Sequence, residues 1–300
     1  MISFFKHIVI VIAILFISTV GLDRIYSSLL TRPSTDSPLK KAFSYSNQEW
    51  DLVFFGSSRV VNNIDCSIIS KLTGKSCLNM GSMGSTLKND AFLFEVLLSN
   101  NNAIRDAFFQ VDYKYNDFSL GSHFKADLIP FTGRALVDQY LKDEQVNALL
   151  WDIPFYRYMT NDKVIGIRKV LVPIAGLFGK DAKSGYKPLD GEGVLINVSL
   201  PDNYERNINS DLYETARGAT NVNLNYFTAP FCEEIKNREA MRSLNNLFDS
   251  YINYATLYDS NQEYFNDCLH LNRLGSKNFS EKIAEDIIRR RWSSLTLKSE

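Results

Sequence analysis

Three side chains of this 300-residue chain are of the types that can together turn a serine into a nucleophile: Ser58, Asp267 and His270. A serine hydroxyl becomes a good nucleophile only when a base removes its proton, and histidine commonly serves as that base. His270 stands three residues after Asp267. In such a D-x-x-H turn the carboxylate can reach back to the imidazole, fix its tautomer and stabilise its protonated form. The spacing therefore allows Asp267 and His270 to form the acid–base pair of a nucleophilic site. The alternative is that Asp267 caps a turn and His270 is a surface residue.

Ser58 is the expected nucleophile because it follows a short apolar run that ends at Gly56 and precedes a helical pattern. A helix that begins at the serine would offer free N–H groups to an oxyanion. Ser57 is the second candidate. The G-x-S-x-G elbow of α/β-hydrolases is not matched, because Val60 occupies the position of the second glycine.

Two other histidines are present. His7 lies at the edge of an apolar N-terminal stretch and is excluded as a base. His123 remains an alternative base for a different serine, although no motif typical of a strand end lies near it.

The elements that must position these residues follow an alternating pattern. Short apolar runs bounded by turn residues predict buried parallel strands, and apolar residues at helical spacing predict the helices between them. This alternation is typical of a three-layer α/β/α fold, in which sites form at the carboxyl ends of the strands. The predicted strands cover residues 50–55, 76–80, 104–111 and 255–258, and the predicted helices cover 59–72, 87–99, 233–254 and 276–291.

The N-terminal residues 1–24 predict a transmembrane signal anchor. The stretch from Ile8 to Leu22 carries no charge. Extended back through Phe4 and Phe5, past Lys6 and His7, it approaches the roughly 20 residues that span a bilayer. Lys6 on the leading side places the N-terminus in the cytoplasm and the rest outside. A cleaved signal peptide is the alternative, with Thr19 and Gly21 as small residues before a cut. Residues 25–48 read as a polar linker and 49–300 as one domain, in which the polar, tyrosine-rich stretch 114–230 reads as a large insertion.

Charge and cysteine content bound the class of protein. The net charge of −1 gives no reason to expect a nucleic-acid partner. Four cysteines suit an exported protein, and although sequence cannot choose among the three possible connectivities, Cys66 with Cys77 and Cys232 with Cys268 are the natural pairs. No C-x-x-C motif or His/Cys cluster is present, so neither a metal nor a cofactor is expected.

Three short blocks resemble the SGNH (GDSL-like) hydrolases, in the order of that family. The first is Gly56-Ser57-Ser58-Arg59 after a strand, the second runs from Asn79 to Thr86, and the third is Asp267-Cys-Leu-His270 before the last helix. The resemblance covers about the first and last thirds of the part that follows the anchor. It implies the flavodoxin-like form of the α/β/α fold.

The resemblance also implies roles for individual residues. Ser58 matches the nucleophile, Asp267 and His270 match the acid and base, and Gly84 matches an oxyanion donor, for which Gly81 is a less favoured substitute. The chain departs from the family at position 57, where Asp is usual, and at Arg59, where Leu is usual; we expect Arg59 on the substrate-binding side.

The family's third block, Gly-x-Asn-Asp, is not evident in this chain. Asn116 is the candidate for a displaced oxyanion donor. The loss of such a donor can cost roughly 10²–10³ in rate.

A Gly-Ser-Ser start behind one membrane helix resembles anchored SGNH proteins of bacterial envelopes. The resemblance implies a serine esterase or O-acyltransferase acting on acyl, chiefly acetyl, esters of an envelope polysaccharide. The expected partners are the acylated polymer and a multi-pass membrane acyltransferase. The expected location is the cytoplasmic membrane, with the domain on the periplasmic side. The alternative is a catalytically inactive subunit that uses the same fold for polymer binding or assembly.

Overall fold

The computed structural model describes residues 2–32, 37–115, 119–146, 153–161, 185–191, 199–202, 204 and 221–291. The chain divides into two compact units, each considered by itself. Met1–Ser34 and Leu120–Asp181 form the anchor unit, and Thr35–Ser119 and Ala182–Glu300 form the sheet unit.

The elements are numbered in chain order. The helices are α1 Ile2–Leu30, α2 Pro38–Ser44, α3 Ser58–Asn63, α4 Cys66–Thr73, α5 Leu87–Ser99, α6 Ser122–Leu128, α7 Ala135–Asp143, α8 Tyr156–Thr160 and α9 Arg273–Ile288. The strands are β1 Glu49–Phe55, β2 Cys77–Asn79, β3 Ala103–Gln110, β4 Asn223–Thr228, β5 Tyr251–Asn253, β6 Phe265–Asp267 and β7 His270–Leu271. Short 3₁₀ helices cover Ile129–Phe131, Arg238–Asn246 and Gln262–Tyr264.

The anchor unit is built on α1, a continuous helix of 29 residues. Its part Ser3–Leu30 is long and apolar enough to cross a membrane, as an anchor or as a signal sequence. Beyond the apolar stretch, Asp23 accepts hydrogen bonds from the Arg157 side chain and from the backbone N–H of Phe155. Ser27 shares a hydrogen bond of 2.7 Å with the Tyr158 hydroxyl. The C-terminal turns of α1 therefore pack against α8 through polar contacts.

The sheet unit contains a five-stranded parallel sheet in the order β2–β1–β3–β4–β5. Its centre is aromatic: Phe54 and Phe55 of β1 lie beside Phe108 and Phe109 of β3, with ring centroids 4.7 and 4.9 Å apart. All four rings are fully buried. Strands buried on both faces read as continuous apolar runs, and this is why the sequence identified β1.

Helices cover both faces of this sheet, so the predicted three-layer α/β/α architecture is confirmed. The chain passes from β1 to β2 in one direction and then back across β1 to β3. Because such crossovers are right-handed, the helices of the two connections lie on opposite faces. In agreement, α9 packs on α3 and α4, whereas α2 packs on α5. The direction changes between β1 and β3, and their carboxyl ends form the place where ligands bind in folds of this order.

The predicted helix over 59–72 is wrong in one respect, because the structure has two helices, α3 and α4. Asp65 begins the second one: its carboxylate accepts a hydrogen bond from the backbone N–H of Ser67 at 2.9 Å. Asp is a preferred residue at this capping position, and the apolar spacing alone could not reveal it. As predicted, the second helix ends at Gly74, which has a left-handed backbone with φ of 70°.

The predicted linker over 25–48 contains helical structure. Helix α1 continues to Leu30, and α2 begins after Ser37, whose side chain caps it. Leu39 and Ala42 of α2 are buried. The polar composition of this stretch concealed a short amphipathic helix that packs on the sheet unit.

The predicted insertion over 114–230 is too long at its C-terminal end, because residues 223–228 form β4 inside the sheet. The predicted helix over 233–254 is replaced by a 3₁₀ helix at Arg238–Asn246 and by β5. Met241, Leu244 and Leu247 are spaced by three, which suits the 3₁₀ repeat better than the α-helical one. The strand predicted at 255–258 therefore lies earlier, at Tyr251–Asn253.

Candidate active site

The position of Ser58 is set by the turn that follows β1. Gly56 has φ of 152°, and a Cβ there would lie 2.5 Å from Val60 and 2.6 Å from Gln110, so only glycine fits. Ser57 caps α3 by accepting a hydrogen bond from the N–H of Arg59. Its hydroxyl donates to Gln110 at 2.8 Å. Ser57, the second candidate nucleophile, is thus occupied as a cap, and Ser58 becomes the first residue of α3.

Asp267 and His270 face each other across a tight antiparallel hairpin made by β6 and β7. Oδ1 of Asp267 accepts hydrogen bonds from the backbone N–H groups of Leu269 and His270 at 2.8 and 2.9 Å. Both carboxylate oxygens lie 2.9 Å from Nδ1 of His270. The D-x-x-H spacing therefore produces the predicted side-chain contact.

The structure brings Ser58 to this pair. Its Oγ lies 2.7 Å from Nε2 of His270, although the two residues are 212 positions apart. With Nδ1–H directed at Asp267, Nε2 is free to accept the serine proton. Burial raises the pKa of the Asp267 carboxyl, but the hydrogen bonds from the His270 side chain and from the Leu269 N–H outweigh it, so that the net pKa is lowered. Asp267 is therefore ionised at neutral pH and faces the imidazole as a charge.

Three of the links that hold the hairpin against the rest of the unit come from α3 and from Cys232. Nε of Arg59 donates to the carbonyl of Leu269 at 3.0 Å, and Oδ1 of Asn63 accepts from the N–H of Leu271 at 3.0 Å. The third link is the disulfide between Cys232 and Cys268. Since Arg59 and Asn63 both belong to α3, the helix that carries the nucleophile also holds the loop that carries the base.

Both disulfides join the pairs that were the natural ones from the sequence. Cys66 pairs with Cys77, and Cys232 pairs with Cys268. The first bond joins the start of α4 to the start of β2, away from the hairpin in the sequence. Only the second has a cysteine inside the D-x-x-H segment.

Ser58 and His270 line a cavity of about 90 Å³, together with Gly84, Ser85 and Tyr113. This is small beside the roughly 300–1,000 Å³ of sites that enclose drug-sized ligands. A short acyl group suits such a volume. A polymer would have to remain largely outside it.

Ser58 and Gly84, whose backbone N–H groups are the candidate oxyanion donors, both line this cavity. Within the described residues, the N–H groups of Ser58 and Gly84 have no hydrogen-bond partner. Gly84 has φ of 67° in the turn before α5. Gly81, the substitute donor, is already engaged, because its N–H donates to Oδ1 of Asn79 at 2.9 Å. The geometry thus leaves Gly84 with donor capacity and removes Gly81.

Arg59, which we expected on the substrate-binding side, belongs to the cavity lining, but its guanidinium is bonded to protein oxygens. Only 3% of the residue is exposed. Its guanidinium forms an ion pair with Asp112 at 3.1 Å and donates to the carbonyls of Ala229 and Pro230. A buried arginine that connects several loops therefore follows the candidate nucleophile.

Gln110 and Asp112 complete a second polar cluster beside the cavity. Oε1 of Gln110 accepts from both the N–H and the hydroxyl of Ser57, and its Nε2 donates to Asp112 at 2.5 Å. Gln110 is the last residue of β3 and Asp112 follows it closely, at the edge where parallel strands place their sites. That position was the signal by which the sequence could have identified them.

Asp90 is a buried carboxyl group in the cavity lining. It accepts a hydrogen bond from the Ser85 hydroxyl at 2.7 Å. Burial raises its pKa to about 7, opposed by the Ser85 hydrogen bond and reinforced by the nearby charge of Asp112. No sequence pattern indicates this group, because the first turn of a helix such as α5 is an ordinary place for an exposed acid.

The remaining candidates have different outcomes. Asn116 lies outside the described residues. His123 is exposed on α6 in the anchor unit. His7 lies on the exposed N-terminal half of α1. Among the described residues, no group of three or more His, Cys, Asp or Glu side chains could hold a metal ion.

Comparisons with known proteins do not assign a function to this chain. No protein-family model matches the chain, and no curated protein matches it. A solved structure from Streptococcus pneumonia, provisionally named a platelet activating factor, is similar over 93% of this chain and 98% of that chain. The identity is 12% and the TM-score is 0.38, a level of likeness that does not establish a family or an activity.

Proposed function

We propose that the protein is a membrane-anchored serine esterase or O-acyltransferase that acts on short acyl esters, chiefly acetyl esters, of an envelope polysaccharide. The observation that carries the proposal is the continuous hydrogen-bonded chain from Ser58 through His270 to Asp267, with distances of 2.7 and 2.9 Å. It has the nucleophile, base and orienting acid of a serine acyl-transfer site.

The first half-reaction forms an acyl-enzyme. Oγ of Ser58 attacks the ester carbonyl carbon while its proton passes to Nε2 of His270. The negative charge that develops on the carbonyl oxygen receives hydrogen bonds from the N–H groups of Ser58 and Gly84. The C–O bond to the sugar then breaks, and the leaving alkoxide takes the proton from Nε2. Asp267 stabilises the imidazolium that exists between these two transfers.

The second half-reaction resolves the acyl-enzyme. A water molecule or a sugar hydroxyl gives its proton to Nε2 and attacks the acyl carbon. Collapse of the tetrahedral intermediate returns that proton to Oγ of Ser58. Water yields a free carboxylic acid, whereas a sugar hydroxyl yields a new ester, so one site supports both hydrolysis and transfer.

The size of the cavity supports a short acyl group. About 90 Å³ is available beside Ser58 and His270. Tyr113, which is partly exposed in the cavity lining, offers a ring that a sugar could contact. The resemblance to the SGNH blocks supports the carbohydrate polymer as substrate.

An extracytoplasmic location is supported by two features. Disulfides persist in oxidising compartments, and the described chain contains two. The helix Ser3–Leu30 provides a possible anchor, and Lys6 before the apolar stretch favours a cytoplasmic N-terminus. We therefore propose that the sheet unit acts on the periplasmic side of the cytoplasmic membrane, where a multi-pass acyltransferase could supply acyl groups. Protease protection in spheroplasts tests the sidedness, because a cytoplasmic sheet unit would remain protected.

Acetate release from an O-acetylated polysaccharide tests the proposed function. The full chain in detergent should release acetate, and Ser58→Ala should abolish the release. Ser57→Ala is the matched control, since it removes the neighbouring hydroxyl and should cost about 1 kcal/mol of stability as a lost cap while preserving turnover. Added oligosaccharide that becomes acetylated would establish transfer. Polymer binding without turnover by the folded wild-type protein would instead support the inactive-subunit alternative.

A further inference from the structure

Arg59 connects four separate segments of the sheet unit. It lies next to Ser58 on α3, and its side chain contacts the loops after β3 and β4 and the turn of the β6–β7 hairpin. Its hydrogen-bond acceptors are Asp112 Oδ2 at 3.1 Å, Ala229 O at 2.6 Å, Pro230 O at 2.8 Å and Leu269 O at 3.0 Å. The guanidinium carbon also lies 3.6 Å from the centroid of the Phe231 ring.

These contacts leave little capacity for a ligand. A guanidinium has five N–H groups, and four hydrogen bonds of Arg59 are directed at protein oxygens. One N–H of Nη1 is therefore the most that a substrate group could use without displacing a protein contact, and only 3% of the residue is exposed. The role of Arg59 must therefore be expressed through the residues that it holds.

Burying the charge of Arg59 costs free energy that an apolar residue of similar size would not cost. Removing a charged group from water costs several kcal/mol unless it is paired, and apolar replacements of buried ion pairs are often as stable or more stable. Burial also lowers the pKa of Arg59, against the opposing effect of Asp112. A methionine or leucine could fill the space at lower cost, so the fixed directions of the guanidinium donors are what distinguish arginine here.

The hydrogen bond from Arg59 to the carbonyl of Leu269 bears on the position of His270. Leu269 immediately precedes His270, and Arg59 immediately follows Ser58. The 3.0 Å hydrogen bond between them thus joins the backbone of the base to the side chain next to the nucleophile. The hydrogen bond between Asn63 and the N–H of Leu271 flanks His270 on its other side.

We infer that Arg59 is a positioning residue that fixes the hairpin on α3, so that Nε2 of His270 stays within hydrogen-bond distance of Ser58 Oγ. This inference rests on the proposed function and deepens it. A displacement of about 1 Å between reacting groups can cost on the order of 10² in rate. Loss of the contact with Leu269 should therefore lower turnover without any loss of a reacting group.

Three variants test the role. Arg59→Met keeps much of the side-chain volume but removes every hydrogen-bond donor. Arg59→Lys keeps the charge beside Asp112 but not the planar set of guanidinium donors. Arg59→Ala leaves space for added guanidinium. With p-nitrophenyl acetate, we expect kcat to fall about 10²-fold in each, with KM changed less than threefold. Guanidinium added to Arg59→Ala should restore part of kcat, whereas a purely structural role predicts no rescue of the folded variant.

Arg238→Met is the matched control. Arg238 pairs with Asp259 and donates to the carbonyl of Ile235, so its replacement also removes a largely buried guanidinium from the sheet unit. It should leave kcat within about twofold, because it has no part in the hairpin. Wild-type kcat in a folded Arg59→Met variant, or an equal loss in Arg238→Met, would overturn the inference.

A measurement that does not depend on turnover separates this inference from the proposed function. The NMR signals of the His270 ring can be followed in the full chain in detergent. Arg59→Met should shift and broaden them, and Arg238→Met should not. An inactive wild type would refute the proposed function alone, whereas an unchanged His270 signal in folded Arg59→Met would refute the positioning role whether or not the wild type is active.

Discussion

Two polar clusters meet at one cavity, and they differ in how completely their groups are satisfied. Ser58, His270 and Asp267 are partly exposed and form a single chain of hydrogen bonds that ends at the nucleophile. Arg59 and Asp112 are buried, with nearly every donor and acceptor directed at protein. Reactivity is therefore expected at Ser58, which is partly exposed and whose hydroxyl contacts the imidazole that can take its proton. The buried pair of Arg59 and Asp112 supplies geometry instead.

Removal of the reacting groups should have the largest effect. Ser58→Ala or His270→Ala should lower kcat for an acetyl ester by roughly 10⁴–10⁶, the scale seen when members of a serine triad are removed. Thermal unfolding should change little, because both side chains are partly exposed at the cavity. Steady-state kinetics with matched melting curves check this, and residual activity near the wild-type level would show that another nucleophile is used.

The two aspartates should respond in opposite ways. Asp267→Asn should lower kcat by about 10⁴, since the wrong histidine tautomer is favoured, and should leave the fold intact. Asp112→Asn leaves Arg59 buried without its counter-ion, and loss of one partner of a buried pair costs about 3–5 kcal/mol of stability. Chemical denaturation and kinetics on both variants provide the measurement. Equal effects on stability would show that the two clusters are not distinct.

The two disulfides offer the next contrast. The sequence separation is 36 residues for Cys232–Cys268 and 11 for Cys66–Cys77. The chain-entropy relation then gives about 3.8 kcal/mol for the first and about 2.8 kcal/mol for the second. Replacing either pair by alanine should lower stability. Only the loss of Cys232–Cys268 should also lower kcat, because that disulfide restrains the hairpin. A similar loss of kcat in both variants would contradict that restraint.

The smallest expected effect concerns Asp90. Because burial raises the folded-state pKa of Asp90 to about 7 from its ordinary value of 3.8, the folded state holds its proton where the unfolded state has released it. Stability should therefore fall as pH rises between these two values, by at most about 1.4 kcal/mol per pH unit. Asp90→Asn should flatten this slope in denaturation curves recorded from pH 4 to pH 8. An unchanged slope would mean that Asp90 is ionised throughout.

The parts of the fold that sequence could predict are those fixed by local patterns. Strand β1 was visible as an apolar run and α5 as a helix with the observed bounds. The D-x-x-H turn predicted the contact between Asp267 and His270, because three residues suffice to form it. Gly56 indicated a tight turn before Ser58. The structure shows why glycine is needed there, because a Cβ would lie too close to Val60.

The parts that failed depend on tertiary structure. A buried Arg59 looks the same in sequence as an exposed one, and its acceptors come from segments more than 50 residues away. The apolar residues of the 3₁₀ helix before β5 also fit an α-helical pattern. The structure shows which of them are buried, Met241 and Leu244, and these two are three residues apart. Asp65 divided a predicted helix by a cap that outweighed the apolar spacing.

The most direct measurement is the reaction of Ser58 with a fluorophosphonate in the full chain, followed by mass spectrometry of the peptide that contains it. A hydroxyl held 2.7 Å from an accepting imidazole should be modified rapidly in the wild type, and His270→Ala should lower the rate by several orders of magnitude, as loss of a base does in serine triads. A folded wild-type protein that stays unmodified at Ser58, or one that reacts equally well without His270, would contradict the assignment.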